Sequence, residues 1–421
     1  MGCGMSEASQ RRLNLGMLLM AVCISAWDKL IFAFAGPAII RDLALTPVQF
    51  GFAASAFFLP YCVFGLLMGF AANRFQTRWI LLGMSLVWVV AQGIVTLADN
   101  LAALVAGRML LGAGTGPTTA VAQHAGFKWF PAPQRLIVSS LHHVALVGAG
   151  LLAVVALPLL IQQQGWRFTY LMLAVLSGAW MLGWLCVGRE GTTDTAHAHA
   201  FCGQKNYRQL LLNRTFISVT VVGMVGYVPN AIGFSWLMVF LQQGVGLAPA
   251  HIAAYMVTLT VMMLVASLVA LGLSQRALKR GASMRSAMVY PPMLACCIGG
   301  VAFSGMTIAP THTAFKLTLY AIGCLGLSLL PQYAFAVVSH ISGTLQRGAS
   351  LAIHNALVTS AGLVAPMLMG LLVHAADGDV AQGLEVFFCG FGLVALAAAL
   401  TGLWLIQPES HATPLTAPGY T

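Results

Sequence analysis

Twelve apolar stretches of helical length run through this chain, at about 14–40, 50–72, 80–97, 101–124, 137–161, 168–187, 215–241, 251–273, 287–308, 315–338, 350–374 and 384–406. Each comes close to the roughly 20 residues that a helix needs to cross a bilayer. The composition demands the same reading. Hydrophobic residues make up 59% of the chain and charged residues 7%, whereas a globular domain is roughly a quarter charged. A soluble fold has no way to hide that much apolar surface. The expected fold is all-α and polytopic, with twelve transmembrane helices in a lipid bilayer. Residues 188–214 form the one extended polar segment and divide the chain into an N-terminal six-helix bundle (1–187), a central loop and a C-terminal bundle with its tail (215–421).

Basic residues set the orientation. Arg11, Arg12, Arg74, Arg78, Lys128, Arg135, Arg189, Lys205, Arg208, Arg214, Arg276, Lys279, Arg280, Arg285 and Arg347 fall on one side of a twelve-span arrangement; Arg41, Arg167 and Lys316 fall on the other. Positive charge marks the cytoplasmic side, so both termini and the central loop are expected there, in the inner membrane of the cell. The polar first dozen residues lead into a segment without a small-residue cleavage site, which reads as a retained helix and not a signal peptide. Met1-Gly2 with Ser6 matches the minimal myristoylation pattern, a match too short to carry an assignment. The net charge of +10 does not point to nucleic acid, because the cations alternate with the spans. The nine cysteines are scattered without metal-ligand spacing, and read as small apolar fillers.

The halves also repeat. Asn73-Arg74-x-x-x-Arg78 after the second span has a counterpart in Gln275-Arg276-x-x-x-Arg280 after the eighth. Arg135, His142 and Gly150 of the fifth span recur 212 residues later as Arg347, His354 and Gly362 of the eleventh. Matched features at equivalent places of two six-helix halves are the mark of internal repeats in secondary transporters.

Three charges interrupt the spans. Asp28 and Lys29 lie side by side within the first, and Arg108 within the fourth. A charge near the bilayer centre costs about 2.5–3.5 kcal/mol on insertion scales and usually faces a cavity where it works. Helical rise places Asp28 roughly 20 Å from the cytoplasmic start of its span and Arg108 about 10 Å from the opposite surface, at the same depth. Neighbours on a helix point about 100° apart, so Asp28 is expected to pair with Arg108 while Lys29 turns into the cavity. Lys29 then suits the anionic group of a substrate. Asp28 suits a transported proton, since burial and nearby cations act on it in opposite senses; Na⁺ in that role stays open. Thr115, two turns from Arg108 on the same face, is expected to line the cavity. His142 and His354 are further candidates for proton coupling, and Gln332 and Tyr333 for polar lining. Gly112, Gly114 and Gly116 permit close helix packing.

These residues resemble the major facilitator superfamily, and within it the anion:cation symporter family of organic-acid transporters. Asp28-Lys29 with Ala35-Gly-Pro-Ala-Ile39 is similar to that family's first helix, and Ser55-Ala56-Phe57 with Tyr61 to its second. Gly69-x-x-x-Asn73-Arg74-x-x-x-Arg78 is a degenerate copy of the superfamily's loop signature. Arg108-Met-Leu-Leu-Gly112-Ala-Gly114, then Trp129-Phe130-Pro131 and Gly165-Trp166-Arg167, continue the likeness, as do Asn355, Gly362, Pro366 and Gly370. The resemblance implies a proton-coupled symporter of a small organic anion working by alternating access, with Tyr61 and Asn355 among the substrate contacts. It departs from the family at three places. Asn73 and Gln275 replace the loop acid, which weakens the usual latch; Lys29 replaces an arginine fork by a point charge; and Thr115 stands where the family keeps a second acid. Few hydroxyl-binding groups line the site, which favours a monocarboxylate. A proton-antiporting exporter and a non-transporting sensor are the alternatives. No nucleophile–base–acid set, metal cluster or phosphate loop occurs in the segments outside the spans, so an enzyme is not expected, nor any cofactor, and the protein is expected to be a monomer.

Overall fold

The computed structural model describes residues 7–72, 74–131, 134–191, 211–308, 313–342 and 347–408. Gly2, Ser6, Asn73, Lys205 and Arg208, singled out above, lie outside the described residues. Every regular element among the described residues is helical: α1 (Glu7–Asp42), α2 (Pro47–Ala56), α3 (Phe58–Ala71), α4 (Thr77–Thr96), α5 (Leu101–Thr115), α6 (Thr118–Phe127), α7 (Arg135–Val187), α8 (Arg214–Gly233), α9 (Leu237–Val239), α10 (Pro249–Lys279), α11 (Met284–Met288), α12 (Tyr290–Ser304), α13 (Thr313–Ile341), α14 (Arg347–Thr359), α15 (Ala361–Ala375) and α16 (Val380–Leu405). Ten helical stretches are long and apolar enough to cross a membrane. One of them, Ile137–Val187, is two spans joined at Gly165. The apolar stretch at 101–124 adds another, formed by α5 and α6 in succession. Ten, one and one make the twelve crossings expected from the sequence.

Two of these spans are broken by proline. Pro60 has no N–H to offer the Ala56 carbonyl, and the helix breaks at Phe57 between α2 and α3. Pro117 leaves Ala113 in the same position, and α5 gives way to α6 across Gly116 and Pro117. The broken helices pack backbone to backbone: a Cβ on Gly112 would overlap the Phe57 carbonyl, and one on Gly116 the Tyr61 carbonyl. Small residues were expected to permit this approach, and they do. It brings Phe57 and Tyr61 to the side of the helix that carries Arg108.

The chain separates into two compact units. Unit 1 comprises Met1–Gly203, Ala231–Val257 and Gly362–Gly383; unit 2 comprises Gln204–Asn230, Thr258–Ala361 and Leu384–Thr421. In unit 1 the Gly-Trp-Arg motif forms the corner of α7. Gly165 turns the chain with φ +84°, a value that favours glycine. Trp166 Nε1 then donates to Asp42 Oδ2 at 2.9 Å, and Arg167 Nη2 donates to the Ala98 carbonyl at 3.0 Å. At the other end of the same spans stands Glu190. Its carboxylate accepts from the Thr77 backbone N–H at 3.2 Å, the Thr77 hydroxyl at 3.0 Å and the Arg78 N–H at 3.2 Å, and it pairs with Lys128. It thereby caps α4, whose own N-cap residue Gln76 makes no side-chain bond. Burial alone would push the Glu190 carboxyl up; Lys128 and the α4 N–H groups outweigh it and hold the carboxyl below its ordinary value. Glu190 thereby ties the segment after α7 to the start of α4 and to Lys128.

In unit 2 the polar groups pair locally. Thr220 Oγ1 and His354 Nδ1 lie 3.0 Å apart, Ser274 Oγ and Tyr333 OH 2.7 Å apart, and Gln332 Nε2 donates to Ser267 Oγ at 3.1 Å. Lys316 and Glu385 form an ion pair near the starts of α13 and α16.

Candidate functional site

Asp28 is wholly buried, with 0% of its surface exposed. Its Oδ1 accepts a 2.5 Å hydrogen bond from Gln92 Nε2 on α4. The Gln92 carbonyl oxygen in turn accepts from Ser177 Oγ on α7 at 3.4 Å. Asp28 Oδ2 has no hydrogen-bond partner among the described residues, and neither has Ser25 Oγ, one turn earlier on α1.

Arg108 is 1% exposed. Its guanidinium lies between two aromatic rings, 4.1 Å from the centroid of Phe32 and 4.5 Å from that of Phe57. Both fall within the roughly 6 Å at which a ring face attracts a cation. Nε and Nη1 make no hydrogen bond among the described residues. The expected ion pair between Asp28 and Arg108 is therefore not formed, although the two are close enough to interact through charge. Two ring faces fix the guanidinium, and Gln92 has turned the carboxylate toward α4. Tyr170, also wholly buried, stands within the field of both.

Lys29 differs from its neighbour. It is half-buried, its ammonium lies 5.6 Å from the Tyr61 ring centroid, and it forms no ion pair among the described residues. Tyr61 packs at 5.4 Å against Phe57, so the two buried cations are joined by a short aromatic series: Lys29, Tyr61, Phe57, Arg108, Phe32. The series continues from Phe32 to Phe50, stacked at 5.0 Å, and from Phe50 to Trp236, edge-on at 4.9 Å, all within unit 1. His142 is buried within the field of Lys29, and its Nε2 has no partner among the described residues; His143 is exposed.

Thr115 does not behave as expected. It is buried, and its hydroxyl donates to the Leu111 carbonyl one turn back on its own helix at 2.7 Å. A threonine in a helix satisfies itself this way at little cost, so it takes no part as a lining hydroxyl. The remaining candidates belong to unit 2. His354 is buried between the edges of Phe216 and Phe335 as well as bonded to Thr220, which is not the interfacial setting common for a histidine near a helix start. Asn355 is half-buried, and Gln332 is exposed. Thus Asp28, Lys29, Tyr61, Arg108 and His142 gather in unit 1, while Gln332, His354 and Asn355 lie in unit 2. Sequence reasoning missed Gln92, Ser177, Tyr170, Phe32 and Phe57. Gln92 had a signal, since an amide inside the apolar run 80–97 is as conspicuous as a charge. Among the described residues no group of His, Cys, Asp and Glu is arranged to hold a metal ion.

The family model for the Major Facilitator Superfamily matches residues 18–330 of the chain. The chain belongs to the Major Facilitator Superfamily. Superfamily members are transporters, and this chain is accordingly a multi-pass membrane transporter and not an enzyme. Its relatives include a probable sulfoacetate transporter of Cupriavidus necator, 26% identical over 86% of this chain and 87% of that protein. A hexuronate transporter of Bacillus subtilis is 23% identical over 93% of both chains. Among solved structures, a bacterial homolog to the human lysosomal transporter Spinster, in an inward-facing and unoccupied conformation, matches with a TM-score of 0.80 at 15% identity, over 99% of this chain and 100% of that one. A D-xylose-proton symporter matches with a TM-score of 0.71 at 15% identity, over 94% and 97% of the two chains. At such identities the solved structures speak for the superfamily fold alone.

Proposed function

We propose that this protein is a secondary active transporter that imports a small organic anion, a monocarboxylate, together with protons by alternating access. The observation that carries this reading is the contrast between Lys29 and Asp28. Lys29 is a half-buried cation without a counter-ion among the described residues, and Asp28 beside it is a buried carboxylate with one oxygen unpartnered. The first suits a carboxylate arriving from water, and the second suits a proton. Both curated relatives are named for organic anions, which supports the same class of cargo. The resemblance to the anion:cation symporters points the same way. In this reading Tyr61 flanks the substrate through its ring, Asn355 and Gln332 contribute from unit 2, and Arg108 acts from behind the aromatic rings. Asp28 carries the proton, with His142 and His354 as the groups that would replace it. The two six-helix halves, 1–187 and 215–421, act as the moving parts of a monomer in the inner membrane, with both termini cytoplasmic.

Purified protein in proteoliposomes, challenged with a panel of organic acids on a solid-supported membrane, tests the reading. Currents evoked by monocarboxylates and enhanced by an inwardly directed proton gradient are expected. Currents enhanced by the opposite gradient would make the protein an exporter. Responses confined to sugar acids would replace the substrate class and leave the mechanism in place.

A further inference from the structure

We propose that Gln92 is a positioning residue that assigns the transported proton to one oxygen of Asp28, and that Ser177 fixes Gln92 in the orientation that does so. The inference rests on the proton-coupled reading of Asp28, and it adds a residue that neither the sequence motifs nor the family resemblance selects. The three side chains are each wholly buried, at 0% exposure, and come from three different spans. Their order is fixed by chemistry. The ionised Asp28 can only accept, so the amide presents its N–H to it, and the Gln92 carbonyl oxygen is left to accept from the Ser177 hydroxyl. An N–H donor 2.5 Å from Oδ1 favours that oxygen as the acceptor in both states of the carboxyl. A proton placed on Oδ1 would turn it into a hydroxyl oxygen, a poorer acceptor for the Gln92 N–H than the carbonyl oxygen it replaces. The proton therefore binds Oδ2, the oxygen that has no partner among the described residues. Ser25, three residues earlier on the same helix face, has an equally unpartnered hydroxyl that suits the new O–H as acceptor.

The same geometry accounts for coupling with a single acid. Where Thr115 replaces the second carboxylate, its hydroxyl is spent on its own helix, and among the described residues no acidic side chain acts on Asp28. A neutral amide substitutes as a fixed donor: it stabilises the ionised carboxylate without adding charge, and it remains bonded when the proton arrives. The charged and titratable groups that face Asp28 are Lys29 on its own helix, Arg108 on α5 and Tyr170 on α7. The third span contributes Gln92 alone, and His142 on α7 faces Lys29. None of these takes the place of the Gln92 bond, since none is hydrogen-bonded to the carboxylate among the described residues.

The test is a pH titration of the Asp28 carboxyl by infrared difference spectroscopy on the purified, substrate-free full chain in lipid nanodiscs. The carboxylic-acid carbonyl band is assigned by its absence from Asp28→Asn. In Gln92→Leu the ionised carboxylate loses its donor, so Asp28 is expected to keep its proton at proton concentrations about tenfold or more below those of the wild type, as the loss of a bond to a charged group implies. Ser177→Ala, which leaves Gln92 free to rotate, is expected to shift the midpoint in the same sense by less, and Ser177→Thr to restore it. Should Gln92→Leu fail to fold, the serine pair carries the test. Midpoints unchanged in the variants that fold would overturn the proposal, as would the absence of any Asp28 band from the wild type. Proton-gradient-driven uptake is measured in parallel on the wild type. A shifted midpoint in a protein that shows no such uptake would retain Gln92 as the positioning residue and remove the coupling reading instead.

Discussion

In unit 1 the buried polar side chains include the charges of Asp28 and Arg108, neither held in an ion pair among the described residues, whereas the polar pairs seen in unit 2 join neutral side chains. Asp28 keeps one free oxygen, and Arg108 is held by ring faces and not by a counter-ion. Thr220 with His354, Ser274 with Tyr333 and Ser267 with Gln332 bond within unit 2, and Lys316 pairs with Glu385 near the starts of two helices. Neutral pairs of this kind stabilise a fold by about 1 kcal/mol each. Buried unpaired charge does the opposite, and apolar packing replaces it without loss of fold. On the proposed reading of Asp28 and Lys29, the ionic chemistry of transport is concentrated in unit 1, and unit 2 supplies shape and hydrogen bonding.

The most severe way to break this comparison is to remove the free cation. Lys29→Ala is expected to abolish the thermal stabilisation given by a transported anion, which at a hundredfold excess over its dissociation constant amounts to about 2.7 kcal/mol. Lys29→Arg is expected to keep it with altered selectivity. His354→Gln, in unit 2, should leave it in place. Equal losses in Lys29→Ala and His354→Gln would erase the distinction between the units.

Arg108→Met sharpens it. If the guanidinium serves transport and not folding, uptake is expected to fall by at least tenfold while the unfolding temperature stays level or rises, because a desolvated cation has been replaced by packing between Phe32 and Phe57. A fall in unfolding temperature of several degrees would return Arg108 to a structural role.

The twelve crossings were legible in the sequence because hydropathy over about 20 residues is a local property; the breaks at Pro60 and Pro117 were not read from it, although the missing N–H of proline is equally local. The depth of Asp28 and Arg108 was legible too, from helical rise. Their partners were not. Rise gives the height of a side chain but not the neighbour it turns to, and that choice was made by Gln92 and by two phenylalanines, Phe32 and Phe57, of which only Phe57 lies in a family-like motif and neither is marked there as a partner of Arg108. Thr115 shows the same limit: its face was correctly spaced, yet its hydroxyl bonds backward to Leu111. Glu190 escaped notice because its role depends on three segments meeting, Thr77, Lys128 and the end of α7.

Glu190 offers a smaller, pH-dependent test outside the spans. Its carboxyl is held below the ordinary value of 4.5 in the folded protein, so the stability it contributes is fully present above that value and is lost as the pH falls through the lower, folded one. The gap in unfolding temperature between wild type and Glu190→Gln is expected to be constant near neutrality and to close in that acid range. A gap that persisted unchanged into acid would mean that the carboxylate charge is not what ties Lys128 to α4. Smaller still, Thr220→Val removes one neutral bond to His354 and is expected to cost about 1 kcal/mol of stability, with the pH dependence of uptake unmoved. A changed pH dependence there would bring His354 into the proton path.

The central claim is that Asp28 alone carries the coupling proton, and Asp28→Asn in proteoliposomes tests it most directly. The asparagine variant is expected to lose all uphill accumulation driven by a pH gradient while retaining substrate exchange between equal pools, since exchange reorients the loaded site without releasing a proton. Accumulation that survives in Asp28→Asn would contradict the claim and pass the proton to a histidine such as His142. Loss of exchange along with accumulation would contradict it in the other direction, leaving Asp28 as a structural partner of Gln92.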